Sequence, residues 1–194
     1  MAMYTLVFAT NNPHKLEEIQ AIVPASLRII SLKAAGIDIE IPEPHDTLAA
    51  NATEKSATIF RLTGLDCFSE DTGLEVAALN GEPGVISARY AGEPPHPAKN
   101  MEKLLQRLQG QTDRRAQFRT VISLILAGRE YFFEGLCAGK IIDAPRGEGG
   151  FGYDPIFVPE GADRSFGEMS LAEKKEFSHR RKATDQLIAF LASL

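Results

Sequence analysis

The sequence predicts a mixed α/β fold, in which helices flank a mixed β-sheet. Segments with strand and helix periodicity alternate along the 194 residues, and Gly128-Arg129 joins two long apolar runs as a hairpin connection. The chain has neither an internal repeat nor a shift in composition. Its length therefore suits a single domain that spans residues 1–194.

The first third of the chain predicts the order strand, helix, strand, helix. Residues 4–9 form an apolar strand, and Asn12 caps a helix that Pro13 begins and that ends near residue 23. Residues 28–31 form the second strand. After an irregular, proline-punctuated segment at 37–46, Thr47 caps an alanine-rich helix that runs to about residue 62, before Gly64.

The next segment predicts a strand that ends in a tight turn beside two carboxylates. The apolar run 65–68 leads to Glu70 and Asp71, and Thr72 and Gly73 connect them to a second β-prone run, 74–76. Carboxylates in such a position suit a hard cation such as Mg²⁺.

The remaining elements complete the alternation. We expect loops at 80–84 and 87–92, a helix at 97–108, strands at 116–127, 130–138 and 155–158, and two C-terminal helices. Ser170 and Glu173 fit a capping box for the first of these helices, and Ser178 caps the second. The break at Ser178 turns Lys174, His179 and Arg180 toward one pocket.

Composition excludes several classes of function. The net charge of −5 argues against a general nucleic-acid or membrane binder. Cys67 and Cys137 lie in apolar surroundings and are expected to be buried thiols. The sequence shows no secretory signal, and its longest strongly apolar stretch, 121–127, is too short to cross a bilayer, so we expect a cytoplasmic protein.

Three further segments contain candidate ligand-binding groups, although the first two are also compatible with ordinary surface charge and the third with a flexible hairpin that buries its aromatic side chains. A polar turn opens a helix at Thr10, Asn11, Asn12, Pro13, His14 and Lys15, which suits a phosphate. Glu43 can reach a metal and Lys55 a phosphate. The dense run of Phe151, Gly152, Tyr153 and Asp154 suits a planar base, because glycine admits close approach and the aromatic rings offer faces.

Taken together, these segments resemble the inosine triphosphate pyrophosphatase family. The resemblance covers almost the whole chain, and the order and spacing of its blocks are highly specific. The matching blocks are residues 9–15, 69–74, 83–84 with 87–90, 149–157, 173–174 and 178–180.

The resemblance implies an elongated, two-lobed mixed sheet, with the active site in the cleft between lobes, and a homodimer. It also implies Mg²⁺-dependent hydrolysis of the α–β phosphoanhydride bond of ITP, dITP and XTP, which gives a nucleoside monophosphate and pyrophosphate.

The resemblance further implies a role for each site residue. Asp71 is the proton acceptor and a metal ligand, with Glu43 or Glu70 as the second carboxylate, and Lys15 and Lys55 neutralise the phosphates. The triphosphate lies on residues 10–15, and Thr72 touches the substrate. Residues 151–154 sandwich the nucleoside, and Lys174, His179 and Arg180 recognise the base.

Other functions remain open at this point. A nucleotide-binding regulatory module without turnover is the main alternative, although acids beside phosphates do not help a pure binder. A pyrophosphatase for modified pyrimidine or methylated nucleotides fits the block 178–180 less well. The family's acidic Glu-Asn-Ala block is Ala50-Asn51-Ala52 here, which makes Glu43 the better second carboxylate.

Overall fold

A computed structural model describes residues 4–194 of the protein. The chain forms two compact units. Unit one comprises the chain up to Asp71, Thr120–Gly135 and Arg180–Leu194, and unit two comprises Thr72–Arg119 and Leu136–His179. The prediction of one domain over residues 1–194 stays a prediction, and its first three residues lie outside the described part.

The mixed sheet flanked by helices is confirmed. Its strands are β1 (Tyr4–Phe8), β2 (Leu27–Ser31), β3 (Cys67–Val76), β4 (Pro83–Gly84), β5 (Arg115–Leu126), β6 (Arg129–Ile141) and β7 (Phe157–Pro159). The helices are α1 (Pro13–Gln20), α2 (Leu48–Thr63), α3 (Pro97–Arg107), α4 (Leu171–Phe177) and α5 (His179–Ala192). The strand order is β2-β1-β3-β5-β6-β7, and β4 pairs with β3.

In unit one, the first strand runs parallel to both of its neighbours. In β1, Val7 pairs with Ile30 of β2 and with Cys67 of β3. Phe8 stacks on Phe68 with 4.4 Å between ring centroids. Because both faces of this parallel segment are covered, β1 is apolar almost throughout and lacks the alternation of a half-exposed strand.

Helix α2 is bounded by the residues that the sequence indicated. The Thr47 side chain accepts a hydrogen bond from the Ala50 amide, and Gly64 ends the helix at φ 67°. Asn51 and Lys55 are four residues apart and therefore share one buried helix face. This face carries functional side chains into the interior of unit one.

In unit two, strands pair in the antiparallel sense. Leu74 of β3 pairs with Gly84 of β4, and β6 pairs with β7. A Cβ atom on Gly73 would lie 2.6 Å from the Gly84 carbonyl oxygen, so this close approach requires glycine. The Ser170–Glu173 capping box is confirmed, as is the break at Ser178 between α4 and α5.

The turn predicted after Asp71 is wrong, because β3 continues through Glu70, Asp71 and Gly73 to Val76. The strand tolerates two buried carboxylates because cationic side chains neutralise both of them. Successive strand side chains point to opposite faces. Glu70 and Asp71 therefore have different partners and do not act as one pair.

Two smaller expectations can also be assessed. Cys67 and Cys137 are buried free thiols, as expected. Among residues 4–194, no helix combines the length and apolar character needed to cross a membrane.

Candidate functional site

The first group of candidate site residues in unit one surrounds Lys55. Its Nζ lies 2.5 Å from Glu43 Oε1 and 3.1 Å from Asp71 Oδ1. Asn51 donates to Asp71 Oδ2 over 3.4 Å, and its own Oδ1 accepts from the His45 amide. Lys55 of α2 therefore links Asp71 of β3 to Glu43, which lies in the irregular segment before α2.

The electrostatics of this group favour a proton-accepting Asp71. Burial raises the pKa of Asp71 above its usual range, although Lys55 acts in the opposite direction. Burial would lower the pKa of Lys55, but the charges of Asp71 and Glu43 outweigh it and raise that pKa. Lys55 therefore stays charged, while Asp71 is a stronger base than an exposed aspartate.

A second group surrounds the other carboxylate of β3. The Arg180 Nε lies 2.9 and 2.8 Å from the two oxygens of Glu70, and Arg180 Nη1 donates to Glu18. Lys15 Nζ lies 3.3 Å from Glu70 Oε1. Burial alone would raise the pKa of Glu70, but Arg180 and Lys15 together lower it to about 2.

The N-terminus of α1 differs from the expected phosphate site in one respect. A helix start normally offers free backbone N–H groups to a phosphate, but here the Asn12 side chain accepts hydrogen bonds from the His14 and Lys15 amides, at 3.0 and 3.3 Å. Thr10 Oγ1 in turn accepts from the Asn12 amide. Because the cap uses two of the helix amides, Lys15 is the stronger candidate for a phosphate contact. Burial lowers the pKa of this lysine.

The residues beside Asp71 suit a magnesium ion. Mg²⁺ prefers oxygen ligands and commonly binds one or two protein carboxylates together with substrate phosphates. Glu43 and Asp71 already converge on a cation, Lys55, whereas Glu70 binds Arg180 and Lys15. No group of three acidic, histidine or cysteine side chains within residues 4–194 is placed to hold a metal by itself. The carboxylates therefore suit an ion shared with a phosphate ligand.

Unit two contains the residues expected to contact a base. Asp154 Oδ2 accepts from Lys174 Nζ at 2.6 Å and from the Phe151 amide at 2.8 Å. The Lys174 ammonium lies 4.9 Å from the centroid of the Phe151 ring. Asp154 thus fixes the positions of both Lys174 and Phe151.

Tyr153 and His179 are buried in the same unit. The Tyr153 hydroxyl donates to the Ser87 carbonyl over 2.8 Å, and burial raises its pKa, so it remains a neutral donor. The His179 ring stacks on Phe118, with 4.7 Å between centroids. Tyr153 is only 4% exposed, and it anchors the segment 151–154 to the turn at Ser87.

Residues 6–190 of the chain match the Ham1 family. The chain belongs to the Ham1 family. The match spans both groups of side chains and confirms the family to which the sequence blocks pointed.

Relatives of this Ham1 chain are similar over nearly their full length. A dITP/XTP pyrophosphatase of Flavobacterium johnsoniae is 49% identical and covers 97% of this chain and 98% of its own. One from Porphyromonas gingivalis is 50% identical over 97% of this chain and 98% of its own.

Solved Ham1 structures share the fold. A Ham1 protein of Staphylococcus aureus is 40% identical, covers 98% of this chain and 99% of its own, and superimposes with a TM-score of 0.88. A HAM1 protein of Coxiella burnetii is 35% identical, covers 99% of this chain and all of its own, and has a TM-score of 0.90.

The predicted residues of this Ham1 protein divide between the two units. Unit one contains residues 10–15, Glu43, Lys55, Glu70, Asp71 and Arg180, and unit two contains Thr72, residues 151–154, Lys174 and His179. Arg180 binds Glu70 and Glu18, which is not the grouping with Lys174 and His179 that the sequence suggested. Its role in base recognition stays a prediction, as does the placement of the active site in a cleft between lobes.

Sequence reasoning missed several residues that hold these groups of side chains in place, above all Glu18, Phe118 and Phe166, and it did not predict the contact of Asn51 with Asp71. Glu18 lies beside Ile19 on the inward face of α1, and this position is the one available signal that its charge is buried. The aromatic residues carried no signal, because buried rings occur throughout ordinary cores.

A cavity of about 670 Å³ in unit two lies apart from these groups. Its polar lining includes Glu75, Gln117 and Lys140, and it has none of the predicted site residues on its walls.

Proposed function

We propose that this Ham1 protein is a nucleoside triphosphate pyrophosphatase that acts on non-standard purine nucleotides, ITP, dITP and XTP. It hydrolyses the α–β phosphoanhydride bond, releases a nucleoside monophosphate and pyrophosphate, and so removes these nucleotides from the pool. The observation that carries the proposal is the buried Lys55–Asp71 pair with Glu43 on the same ammonium, in a chain nearly half identical to dITP/XTP pyrophosphatases.

Asp71 is the proton acceptor in this proposal. Burial raises its pKa, and Asn51 and Lys55 hold its two oxygens. A carboxylate held in one orientation can accept a proton from an attacking water as bond formation begins.

Lys15 and Lys55 neutralise the negative charge that develops on the phosphates. Ammonium groups prearranged in a dry site supply most of the help that phosphoryl transfer needs, because such reactions depend chiefly on positioning and electrostatics. The turn that leads to Lys15 also contacts the triphosphate, through Thr10, Asn11, Asn12, Pro13 and His14.

Glu43 and Asp71 would hold Mg²⁺, and Glu70 is the less suitable ligand because Arg180 and Lys15 bind it. A bound Mg²⁺ supplies charge neutralisation on the phosphates and lowers the pKa of a coordinated water.

Base recognition falls to the residues of unit two. Phe151 offers a ring face, with Gly152 admitting close approach, and Lys174 and His179 donate to the carbonyl oxygens of hypoxanthine or xanthine. Thr72 and Asp154 orient the nucleoside, and Tyr153 holds the segment in place. Adenine presents an amino group at position 6, so it would leave buried donors unpaired, at about 1–3 kcal/mol each.

The quaternary state and location complete the proposal. We place the enzyme as a homodimer in the cytoplasm, where free nucleoside triphosphates are available, with neither nucleic acid nor membrane as a partner.

A regulatory nucleotide-binding module is the second candidate. Asp71 argues against it, since burying a carboxylate next to the phosphate-binding lysines would weaken simple binding of an anion. Turnover is the property that separates the two candidates.

The test measures pyrophosphate release from ITP, dITP, XTP, GTP and ATP, each with Mg²⁺ and with EDTA. We expect rapid, metal-dependent release from the first three and little from the last two. Identification of the nucleotide product distinguishes cleavage at the α–β bond, which gives a monophosphate, from cleavage at the β–γ bond, which gives a diphosphate. Saturable binding without any product would support the regulatory module instead.

A further inference from the structure

An aromatic column in unit two joins two of the three predicted base-recognising donors, His179 and Lys174. We use this name for the series His179, Phe118, Phe166, Lys174 and Phe151. Phe118 lies on β5, and Phe166 lies in a short 3₁₀ turn before α4.

Each step of the column is a ring or cation contact. The His179 and Phe118 rings stack at 4.7 Å with 15° between planes, and Phe118 and Phe166 stack at 6.2 Å with 22° between planes. The Lys174 ammonium lies 5.3 Å from the centroid of Phe166 and 4.9 Å from that of Phe151. The geometry thus connects His179 to the candidate base-stacking ring through two phenylalanines.

The column constrains its polar members more than an aliphatic core would. Phe118 and Phe166 are 7% and 0% exposed, and His179 and Lys174 are 2% and 4% exposed. A stacked ring fixes the plane of an imidazole, and the negative face of a ring attracts an ammonium. Leucine would fill part of the same volume without either directional interaction.

We propose that Phe118 and Phe166 are positioning residues that set the base preference of this enzyme by holding His179 and Lys174. This inference rests on the proposed pyrophosphatase function. The two phenylalanines act through the donors and not by contact with the substrate.

Ordinary core packing is the competing explanation, and Phe157 provides the matched control. Its ring meets Phe118 edge-on at 4.7 Å and Phe166 at 5.3 Å, and it is fully buried. Phe157→Leu removes the same atoms from the same cluster. A loss of base preference that depended on packing alone would therefore appear equally in all three leucine variants.

The test compares Phe118→Leu, Phe166→Leu and Phe157→Leu in the full chain. Each variant is measured for its unfolding midpoint and for kcat and KM with dITP and dGTP. We expect Phe118→Leu and Phe166→Leu to reduce the dITP/dGTP ratio of kcat/KM by about 3- to 10-fold, chiefly through KM for dITP. Phe157→Leu should lose stability and keep the wild-type ratio. Phe118→Met replaces Phe118→Leu if the latter does not fold.

A spectroscopic measurement reports on the contact without turnover. The chain has four histidines, so the His179 ring signals can be identified by comparison with His179→Gln. Phe118→Leu should remove the ring-current shift of the His179 ring protons, and Phe157→Leu should leave His179 stacked.

An unchanged dITP/dGTP ratio of kcat/KM in folded Phe118→Leu and Phe166→Leu would overturn the proposal. An equal fall of this ratio in Phe157→Leu would overturn it too. An unmoved His179 signal in Phe118→Leu would also overturn it. A wild-type protein that releases no pyrophosphate from any nucleotide would reject the proposed function itself, and the base-preference proposal with it.

Discussion

Lys55 and Asp71 form a buried ion pair, with 3.1 Å between Nζ and Oδ1, that joins helix α2 to strand β3. Glu43 binds the same ammonium at 2.5 Å, so two carboxylates share one cation. Burial strengthens the interaction between these charges and makes each of them sensitive to the loss of its neighbours. The predictions below follow from this arrangement and from the Glu70–Arg180 pair beside it.

Asp71→Asn should lower kcat for dITP by about 100-fold or more, because the amide cannot accept the proton of the attacking water. Steady-state kinetics with Mg²⁺ measure the effect. Asp185→Asn is the control, since that carboxylate forms an exposed pair with Arg181 on α5. Full turnover by the Asp71→Asn protein would remove Asp71 from the catalytic role.

Lys55→Met should lower kcat/KM by about 100-fold. It should also move the acidic limb of the dependence of kcat/KM on pH to higher pH. The charge of Lys55 opposes the rise in the pKa of Asp71 that burial causes. Without that charge the pKa rises further, and a larger fraction of Asp71 is protonated at any given acidic pH. Lys33→Met, at an exposed position of unit one, should keep the wild-type profile. A profile shifted toward lower pH would contradict the assignment.

Glu70→Gln should weaken the dependence of stability on acidic pH. The pKa of Glu70 falls from 4.5 to about 2 in the folded protein, so its contribution is complete above about pH 4.5 and is lost as pH falls toward 2. This contribution is on the order of 3 kcal/mol. Urea unfolding between pH 7 and 2 should show a less stable variant at neutral pH with a shallower acidic decline. Glu17→Gln, on the exposed face of α1, should retain the wild-type slope.

Arg180→Ala should destabilise the protein by about 3–5 kcal/mol, because Glu70 and Glu18 would remain buried without their guanidinium partner. Arg181→Ala is a matched neighbour with an exposed pair, and should change the unfolding free energy by about 0.5 kcal/mol or less. Urea unfolding at pH 7 compares the two. If Arg180 also recognises the base, the folded Arg180→Ala protein should show a narrower ITP/GTP preference. An unchanged ITP/GTP preference would leave Arg180 with a structural role only.

Local signals predicted most of the element order correctly. Asn12, Thr47 and Ser170 cap the helices that the sequence assigned to them. The hairpin between β5 and β6 is also present, with its turn at Ala127 and Gly128, both at positive φ, one residue earlier than the predicted Gly128-Arg129. Such features depend on residues within about four positions of each other, so sequence order alone contains the information.

Long-range neutralisation explains the main error. The sequence predicted a turn after Asp71, because Thr72 and Gly73 separate the two acids from the next β-prone run, and adjacent acids are rarely buried unless they are paired. Glu70 is buried because it pairs with Arg180, which lies 110 residues later in the chain. Arg180 also binds Glu18, which lies 162 residues before Arg180. Partners at such separations leave no periodic pattern from which they can be inferred.

The sequence by itself determined the family, the order of the helices and strands, and which residue types could serve phosphate, metal and base, since motifs and caps are local. Only the tertiary structure decided that β3 continues through its carboxylates, that Asp71 belongs with Lys55 and Glu43, and that Arg180 belongs with Glu70 and Glu18. A charge can be buried only where folding brings a counter-charge to it, and that pairing depends on the packing of distant segments.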